Sequence, residues 1–544
     1  HPLILLTIKS RQDHFEHLAR LATSAADCTY LLSIYDFAEI LEEALEYSKF
    51  GYFNYKLMFA TLMAVFSYTS VTTTSSYILS SAECDLNMSI MQKGLLNAMP
   101  FFGQVVAGPF TGFVTDALGR KMFLVWGHAG ILACALLEGT SQSYWMLLLG
   151  KLLDGIFLSF TFSATAVMVT EFTHKGVRDR VLLVYSSFMS SSLILCALVA
   201  WGILTKPWDF IIIKGYLEFH PWNMYLYSTA ITSLIAMLFY IHLPESPKFL
   251  LTLGKESEAL EVIKRIYHEN SGQPKDSFPV SIFTLLTRFM KYITSFNASG
   301  VHYTPENISI KKQLTNALFQ SKELFMRPLI YILMLFATST FVNLFAYSAL
   351  RLWFPQISTI IENHQSKHGG ETDRFCVMID GYTSELATNV SLAAANNSIS
   401  DICVPHPAGA DTYINGIILG ILSLALILIS TALVDFIGQK LLMFVLFIAC
   451  ATCSSALYWT SSSISIGILL AAACALMQCA LSLQNSVLMR SVPTTVRALA
   501  LALIIMLGRV GSLVGSVLFP VMLEEGCMFP FMMLSIITLC KYSF

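Results

Sequence analysis

A few charged side chains stand inside long apolar stretches of this 544-residue chain, and they are its first candidates for chemistry. Lys151 and Asp154 are three residues apart, so on a helix they share one face and can neutralise each other. Arg509 has no acidic neighbour in sequence. Ionisable groups in apolar surroundings bind ions or substrates, or pair with one another. Proton transfer and a structural role are both open for the Lys151–Asp154 pair. An anionic ligand and a carboxylate from another segment are both open for Arg509.

A second charged group ends an apolar stretch, in the sequence GFVTDALGRKMF at 112–123. Gly119 permits the tight turn that a very short connection between two helices needs. Asp116 can pair with Arg120, with a basic residue of a later loop such as Arg178, or with a helix N-terminus. Such a pair would be a latch that breaks when the protein changes conformation. The alternative is that these charges only set the orientation of the chain.

Composition indicates the elements that position these residues. Of all residues, 55% are hydrophobic and 12% are charged, and the mean hydropathy is +0.64. This charged share is about half that of a soluble domain, which predicts a membrane protein with the lipid bilayer as its partner. The net charge of -2 gives no basis for binding nucleic acid.

A membrane-spanning helix needs about 20 mostly apolar residues. Twelve stretches approach this length, and they predict an all-α membrane protein. They lie at 55–79, 92–115, 122–140, 144–170, 181–205, 222–243, 328–354, 412–434, 441–459, 463–489, 498–522 and 527–541.

The spans fall into two groups of six, separated by a polar stretch. Lys and Arg residues concentrate in the loops after spans two, four, eight and ten, which places those loops, the central loop and both termini in the cytoplasm. An amphipathic helix at 36–57 is either a lid on that face or a solubilising lead-in. The predicted divisions are an N-terminal segment 1–51, a bundle 52–243, a central loop 244–327 and a bundle 328–544.

The segment 356–411 is predicted to lie outside, or in a lumen. It contains glycosylation sequons at Asn389 and Asn396. Cys376 and Cys403 share this oxidising loop and are predicted to form a disulfide.

A weak internal repeat divides the chain into two halves. One offset of 319 positions relates Asp116 to Asp435, Gly119 to Gly438, Glu171 to Arg490 and Arg178 to Arg497. Because two separate loops agree on one offset, we infer duplicated halves, a construction that many secondary transporters use. By the same offset, we expect the second half to continue past Phe544.

The pattern G-x-x-x-D-x-x-G-R-K at 112–121 resembles the loop signature of the major facilitator superfamily. PESPK at 244–248 is similar to a segment of its sugar, organic-ion and synaptic vesicle glycoprotein 2 branches. RLWFP at 351–355 resembles the synaptic vesicle glycoprotein 2 branch, and GRVGSLVGSV at 508–517 resembles the organic-ion branch. The resemblance implies twelve transmembrane helices in two pseudo-symmetric six-helix bundles.

The resemblance also implies a cytoplasmic gating cluster in which Glu171 joins Arg120. The second copy departs from the pattern, because Gln439 replaces the expected base and Arg490 replaces the expected acid. Asp435 can pair with Arg490 instead, so the second latch is altered or weaker.

We therefore predict a transporter that moves a small organic solute by alternating access. The first span, FSYTSVTTTSSY at 66–77, is polar but uncharged, so it cannot carry a proton. Glu138 lies near the end of its span and is expected to reach the membrane surface. The candidate cavity residues are Tyr68, Thr72, Lys151, Asp154 and Arg509.

The competing interpretation is a non-transporting vesicle glycoprotein that uses the same fold as a scaffold or receptor. The sequence contains no soluble-enzyme signature, and it predicts no cofactor and no metal. The sequence leaves open whether the solute is ionic, whether a coupling ion takes part, and whether the protein lies in the plasma membrane or a vesicle membrane.

Overall fold

Helices dominate the structure. The computed structural model describes residues 41–213, 216–253, 255–278, 326–327, 329–368, 373–396, 408–491 and 497–540. The helices are α1 (Tyr52–Ile78), α2 (Ile90–Leu118), α3 (Arg120–Gly139), α4 (Tyr144–Glu171), α5 (Lys175–Leu204), α6 (Pro221–His242), α7 (Pro247–Thr252), α8 (Glu256–Ser271), α9 (Leu329–Lys367), α10 (Phe375–Asn396), α11 (Ala410–Ile437), α12 (Gln439–Ala456), α13 (Ser463–Ser491), α14 (Arg497–Glu524) and α15 (Met528–Cys540).

Each of the twelve predicted spans coincides with one helix. Over the described residues, ten helices are long and apolar enough to cross a membrane. We call α1–α6 the first bundle, and α9 with α11–α15 the second bundle.

The chain divides into two compact units. The larger unit holds most of the spanning helices, and the smaller one contains α7 and α8. The smaller unit comprises His1–Asn54, Glu171–Asp179 and Pro247–Glu306, and the larger comprises Tyr55–Thr170, Arg180–Ser246 and Asn307–Phe544.

Two glycines make the shortest connections between helices. Gly119, at φ 99°, is the single residue between α2 and α3, and Gly438, at φ 83°, is the single residue between α11 and α12. L-residues with a side chain rarely adopt such φ values, so glycine is needed at both turns. The end of the bundles that carries these turns is called the motif side.

A short hairpin marks the opposite end, called the hairpin side. It joins α5 to α6 through the antiparallel strands β1 (Phe210–Ile213) and β2 (Leu217–Phe219). The side chains of β1 are exposed.

The helix α9 is longer than predicted. Its 39 residues extend about 58 Å at 1.5 Å per residue, well beyond a bilayer core of about 30 Å. The predicted loop 356–411 therefore does not begin at 356. The reason is that Ile357, Ile360 and Ile361 are buried within the protein, which supports the helix past the bilayer thickness.

The predicted helix 36–57 is interrupted. Residues 41–47 are helical, Lys49 has a φ of 54°, and α1 then begins afresh. Asn270 of α8 donates to the carbonyl oxygens of Ser48 and Lys49 at 3.3 and 2.8 Å, and these carbonyls would otherwise need partners at the helix end. The first five residues of the predicted helix lie outside the described part.

The predicted disulfide is wrong in its partner. Cys376, at the start of α10, is bonded to Cys527, with the two Cα atoms 5.3 Å apart. Asp380 of α10 accepts a hydrogen bond from the backbone N–H of Cys527 at 2.9 Å, so α10 docks on the turn between α14 and α15. Sequence proximity favoured Cys403, which lies outside the described residues.

The two sequon asparagines lie in the second half of α10. Asn396 is the last residue of that helix. The side chains of Asn389 and Asn396 are outside the described part, so glycosylation stays a prediction.

Close packing fixes the helix that carries Arg509 against the helix that carries Arg351. A Cβ atom at Gly511 or Gly515 of α14 would collide with carbonyl oxygens of α9. Small residues four apart permit this close approach of two backbones. The two arginines are therefore presented from one tightly packed helix pair.

Candidate functional site

The motif turn is capped by an acid from a distant segment. The carboxylate of Glu245, which follows α6, accepts hydrogen bonds from the backbone N–H groups of Arg120 and Lys121, both at 3.1 Å. These are the first two residues of α3, and a negative charge is favourable at a helix N-terminus. Glu245 is the acid of the PESPK segment, so the two sequence motifs meet at one turn. Sequence reasoning found both motifs but not their contact.

In the smaller unit, Arg178 is bound by Glu42. The guanidinium donates to the carboxylate of Glu42 and to the carbonyl oxygen of Thr173, the latter at 2.7 Å. Glu42 also accepts a hydrogen bond from the backbone N–H of Lys175 at 2.9 Å, where α5 begins. Glu42 therefore links the N-terminal segment to the loop between α4 and α5, a role that the sequence did not indicate.

The other gating candidates occupy helix ends. Asp116, Asp435 and Arg490 lie in the last turns of α2, α11 and α13, and their side chains are outside the described part. Glu171 ends α4 and is buried. The paired latches of the two halves stay predictions.

Arg351 contacts the polar stretch of α1 across the two bundles. Its Nη1 donates to Thr73 Oγ1 at 2.9 Å, and its Nη2 donates to the carbonyl oxygen of Thr72 at 3.4 Å. The guanidinium carbon lies 5.5 Å from the centre of the Tyr347 ring, a cation–π distance. Sequence analysis treated this arginine only as part of the RLWFP motif and missed it as a site residue.

Arg509 lies against two aromatic rings of the first bundle. Its guanidinium carbon is 5.7 Å from the Tyr68 ring centre and 5.3 Å from that of Phe162. The two rings are themselves 4.7 Å apart. Arg509 and Tyr68, which were predicted as cavity residues, are thus in contact, and Thr72 lies one helical turn from Tyr68.

Neither arginine is paired with a carboxylate of the described part of the chain. Among the residues whose side chains are described, no carboxylate forms a salt bridge with Arg351 or Arg509. The structural alternative for Arg509, pairing with a carboxylate of another span, finds no such partner in this part of the chain. The side of α1 that carries Tyr68, Thr72 and Thr73 therefore contacts two positive charges among hydroxyl groups and aromatic rings.

Lys151 forms its salt bridge with Glu138 and not with Asp154, the predicted partner. Lys151 Nζ lies 2.6 Å from Glu138 Oε2 and donates to Thr74 Oγ1 at 2.9 Å. The i, i+3 spacing predicts only neighbours within α4, whereas the salt-bridge partner Glu138 lies on α3. All three ionisable groups are 0% exposed, so Glu138 does not reach the membrane surface either. The pair belongs to the interior of the first bundle and not to an open cavity in this conformation.

Lys93 of α2 connects the first bundle to α10 on the hairpin side. Its ammonium forms a 2.8 Å salt bridge with Glu83 and donates to the hydroxyl of Tyr382, in α10, at 3.4 Å. Burial raises the pKa of the Tyr382 hydroxyl above its ordinary value, so the group stays protonated and neutral.

Further contacts close the same side. Asn97 Nδ2 donates to the carbonyl oxygen of Leu352 at 3.4 Å, and the rings of Tyr77 and Tyr413 stack with centres 6.1 Å apart. Tyr77 is near the end of α1 and Tyr413 near the start of α11, both on the hairpin side. The two bundles are held together there.

Known proteins resemble this chain in sequence. The family model described as "Sugar (and other) transporter" matches residues 32–350, more than half of the chain. Synaptic vesicle glycoprotein 2B of Rattus norvegicus is 26% identical over 325 residues, which cover 58% of this chain and 47% of that protein. Synaptic vesicle glycoprotein 2C of the same organism is 26% identical over 311 residues, which cover 56% and 43%. The chain spans about half the length of the curated relatives it matches.

Solved structures share the fold. The xylose transporter XylE from E. coli in a partially occluded inward-open conformation matches with a TM-score of 0.60 at 13% identity, over 91% of this chain and 98% of that one. Its inward-open conformation matches with a TM-score of 0.61, also at 13% identity, over 90% and 95%. These matches confirm the predicted fold of twelve spans. The chain belongs to the sugar (and other) transporter family of the major facilitator superfamily, as a multi-pass membrane protein and not an enzyme.

Proposed function

We propose that this protein carries a small organic anion across a membrane by alternating access between its two bundles. The observation that supports this proposal is the pair of arginines beside α1, Arg351 and Arg509, which no described carboxylate neutralises. Charge held in a membrane interior without a counter-charge marks a ligand pathway.

The chemistry around the arginines favours an anion attached to an aromatic or apolar body. Thr72 and Tyr68 are four residues, about 6 Å, apart along the axis of α1, so the two guanidinium groups contact neighbouring turns of this helix. Guanidinium groups bind carboxylate, sulfonate and phosphate through paired hydrogen bonds. The rings of Tyr68 and Phe162 provide a flat surface for the rest of the solute. A neutral sugar would leave both charges uncompensated.

The direction of opening follows from the contacts on the hairpin side. The bundles meet there through Arg351 and Asn97, so inward transport requires these contacts to break and re-form in each cycle. We place the motif side and both termini in the cytoplasm. The Cys376–Cys527 disulfide supports this orientation, because disulfides persist in the exterior or a lumen. We place the protein in a vesicle or plasma membrane, and the names of the synaptic vesicle relatives favour the vesicle.

A matched ligand series tests the proposal. Thermal unfolding of the purified protein is followed with benzoate, benzyl alcohol and benzylamine, which share one ring and differ in charge. A ligand that binds only the folded state stabilises it by about 2.7 kcal/mol at 100 times its dissociation constant. We expect benzoate to raise the unfolding temperature more than the other two. Arg509→Gln and Arg351→Gln should each lower its affinity tenfold or more, because a charged hydrogen bond contributes about 1.5–3 kcal/mol.

Arg265→Gln is the control, since Arg265 pairs with Glu269 on α8 at 2.9 Å, in the smaller unit. Equal stabilisation by the cation, or full benzoate affinity in both cavity variants, would contradict an anionic solute. Uptake of radiolabelled benzoate into proteoliposomes then separates transport from binding alone. Binding without any uptake would favour the scaffold or receptor interpretation.

A further inference from the structure

Three ionisable side chains form a closed cluster inside the first bundle. Lys151 Nζ contacts Glu138 Oε2 at 2.6 Å, and Asp154 lies one helical turn from Lys151 on α4, close enough to Glu138 for their charges to interact. All three side chains are 0% exposed. The solute site beside Arg351 and Arg509 uses none of them.

Side chains of α1 and α3 and a glycine of α4 surround the cluster. α1 contributes the Thr74 hydroxyl, which accepts a hydrogen bond from Lys151 at 2.9 Å, and α3 contributes the thiol of Cys134 close to the charges. Gly150 of α4 leaves room for Glu138, because a Cβ atom there would meet Glu138 Cγ at 2.6 Å. No further charged group of the described residues faces Asp154.

The charges do not balance if every group is ionised. Two carboxylates face one ammonium, which leaves a net charge of −1 in a fully buried place, and burying an unpaired charge is strongly unfavourable. No carboxyl oxygen of Asp154 accepts a hydrogen bond from any described donor. Two ionised carboxylates also have nothing to donate to each other. One added proton removes both problems.

We propose that Glu138 and Asp154 share a single exchangeable proton, and that with Lys151 they form the proton-binding site of the first bundle. Lys151 holds Glu138 as the carboxylate through Oε2. Asp154 then carries the proton on one carboxyl oxygen and donates it to Glu138. When the site opens to water, the proton leaves Asp154 and Lys151 is shared between two carboxylates. Because the ammonium of Lys151 already occupies the cation position, we expect a proton and not a sodium ion in this role.

The site supplies what α1 lacks. The stretch 66–77 of α1 contains no acid. An adjacent proton site in the same bundle would allow a proton gradient to drive solute movement, and this consequence rests on the proposed function. Proton binding itself does not rest on it.

Infrared spectroscopy of the purified protein tests the site without any solute. A buried protonated carboxyl group gives a C=O stretching band that an ionised carboxylate does not. We expect this band in the wild type at neutral pH, and we expect it to lose one carboxyl equivalent in Asp154→Asn. Glu138→Gln should lose the same amount, because Asp154 would then ionise beside Lys151. Lys151→Gln should lose none and gain intensity, because no cation then remains to hold Glu138 ionised.

A control variant and an isotope label complete the infrared experiment. Glu362→Gln should leave the band unchanged, since Glu362 lies outside the cluster and its carboxyl group accepts hydrogen bonds from Gly409 N–H and Thr412 Oγ1 at 3.0 and 3.1 Å. Wild-type protein made with isotopically labelled aspartate should shift the band, which covers the case of a variant that fails to fold. A band unmoved by this label, or absent from the wild type, overturns the proposal. Loss of the band on adding sodium would point to a sodium site instead. Because no solute is present, failure here is separate from failure of the benzoate series.

Discussion

A single carboxylate caps the motif turn. Glu245 accepts hydrogen bonds from two backbone N–H groups at the start of α3 and from the backbone N–H of Ser246, the last at 2.9 Å. The sequence motif emphasises the charged side chains of Arg120 and Lys121. The contact with Glu245, however, is made by their backbone N–H groups. A carboxylate in this position acts both as a helix cap and as the joint between two parts of the chain.

We expect Glu245→Ala to destabilise the protein by about 1–2 kcal/mol, because both N–H groups of α3 lose their acceptor. Glu245→Gln should cost about 0.3–1 kcal/mol, because an acceptor stays and only the charge is lost. Thermal unfolding in detergent measures both. The control is Glu258→Ala, whose salt bridge with Lys255 is exposed and should contribute little. Equal effects of all three substitutions would contradict the capping role.

At the scale of elements, Asn270 joins α8 to the N-terminal segment within the smaller unit. Its Nδ2 donates to the carbonyl oxygens of Ser48 and Lys49 and to Asn54 Oδ1, the last at 2.9 Å. Its Oδ1 accepts a hydrogen bond from Phe53 N–H at 2.9 Å. One amide thus satisfies the end of one helix and the beginning of the next.

We expect Asn270→Ala to raise hydrogen–deuterium exchange across residues 41–53, because this attachment is lost. Asn270→Asp should raise it at least as much, since a carboxylate cannot donate and would face carbonyl oxygens. Glu261→Ala on an exposed position of the same helix is the matched control. Exchange in Asn270→Asp that equals the wild type would refute the assignment of the donors.

The helices also show which structural features could be predicted from the sequence and which could not. The twelve spans were predicted because bilayer thickness fixes the length of an apolar helix. The Lys151–Asp154 pairing was wrong because residue spacing reports one helix, whereas Glu138 reaches Lys151 from α3. Arg351 was missed because its neighbours on α1 lie more than two hundred residues away. Tertiary partners of this kind leave no local pattern.

At the scale of the whole molecule, the Cys376–Cys527 disulfide joins α10 to the end of the second bundle across 151 residues. Such a link stabilises mainly by restricting the unfolded chain, typically by about 2–4 kcal/mol. Cys376→Ser, Cys527→Ser and the double variant should therefore lower stability by similar amounts. Non-reducing peptide mapping should recover Cys376 linked to Cys527. A peptide linking Cys376 to Cys403, or additive losses in the double variant, would contradict this pairing.

The two glycine turns bear on how the duplicated halves have diverged. The second half has exchanged the base of the motif for Gln439 and the acid that matches Glu171 for Arg490. Gly438 nevertheless repeats the positive φ of Gly119 and the one-residue connection between two helices. The two halves thus share the backbone geometry of this turn and differ in its side-chain chemistry. In both halves a glycine with a positive φ is what lets one helix follow another after a single residue, whatever charges stand beside it.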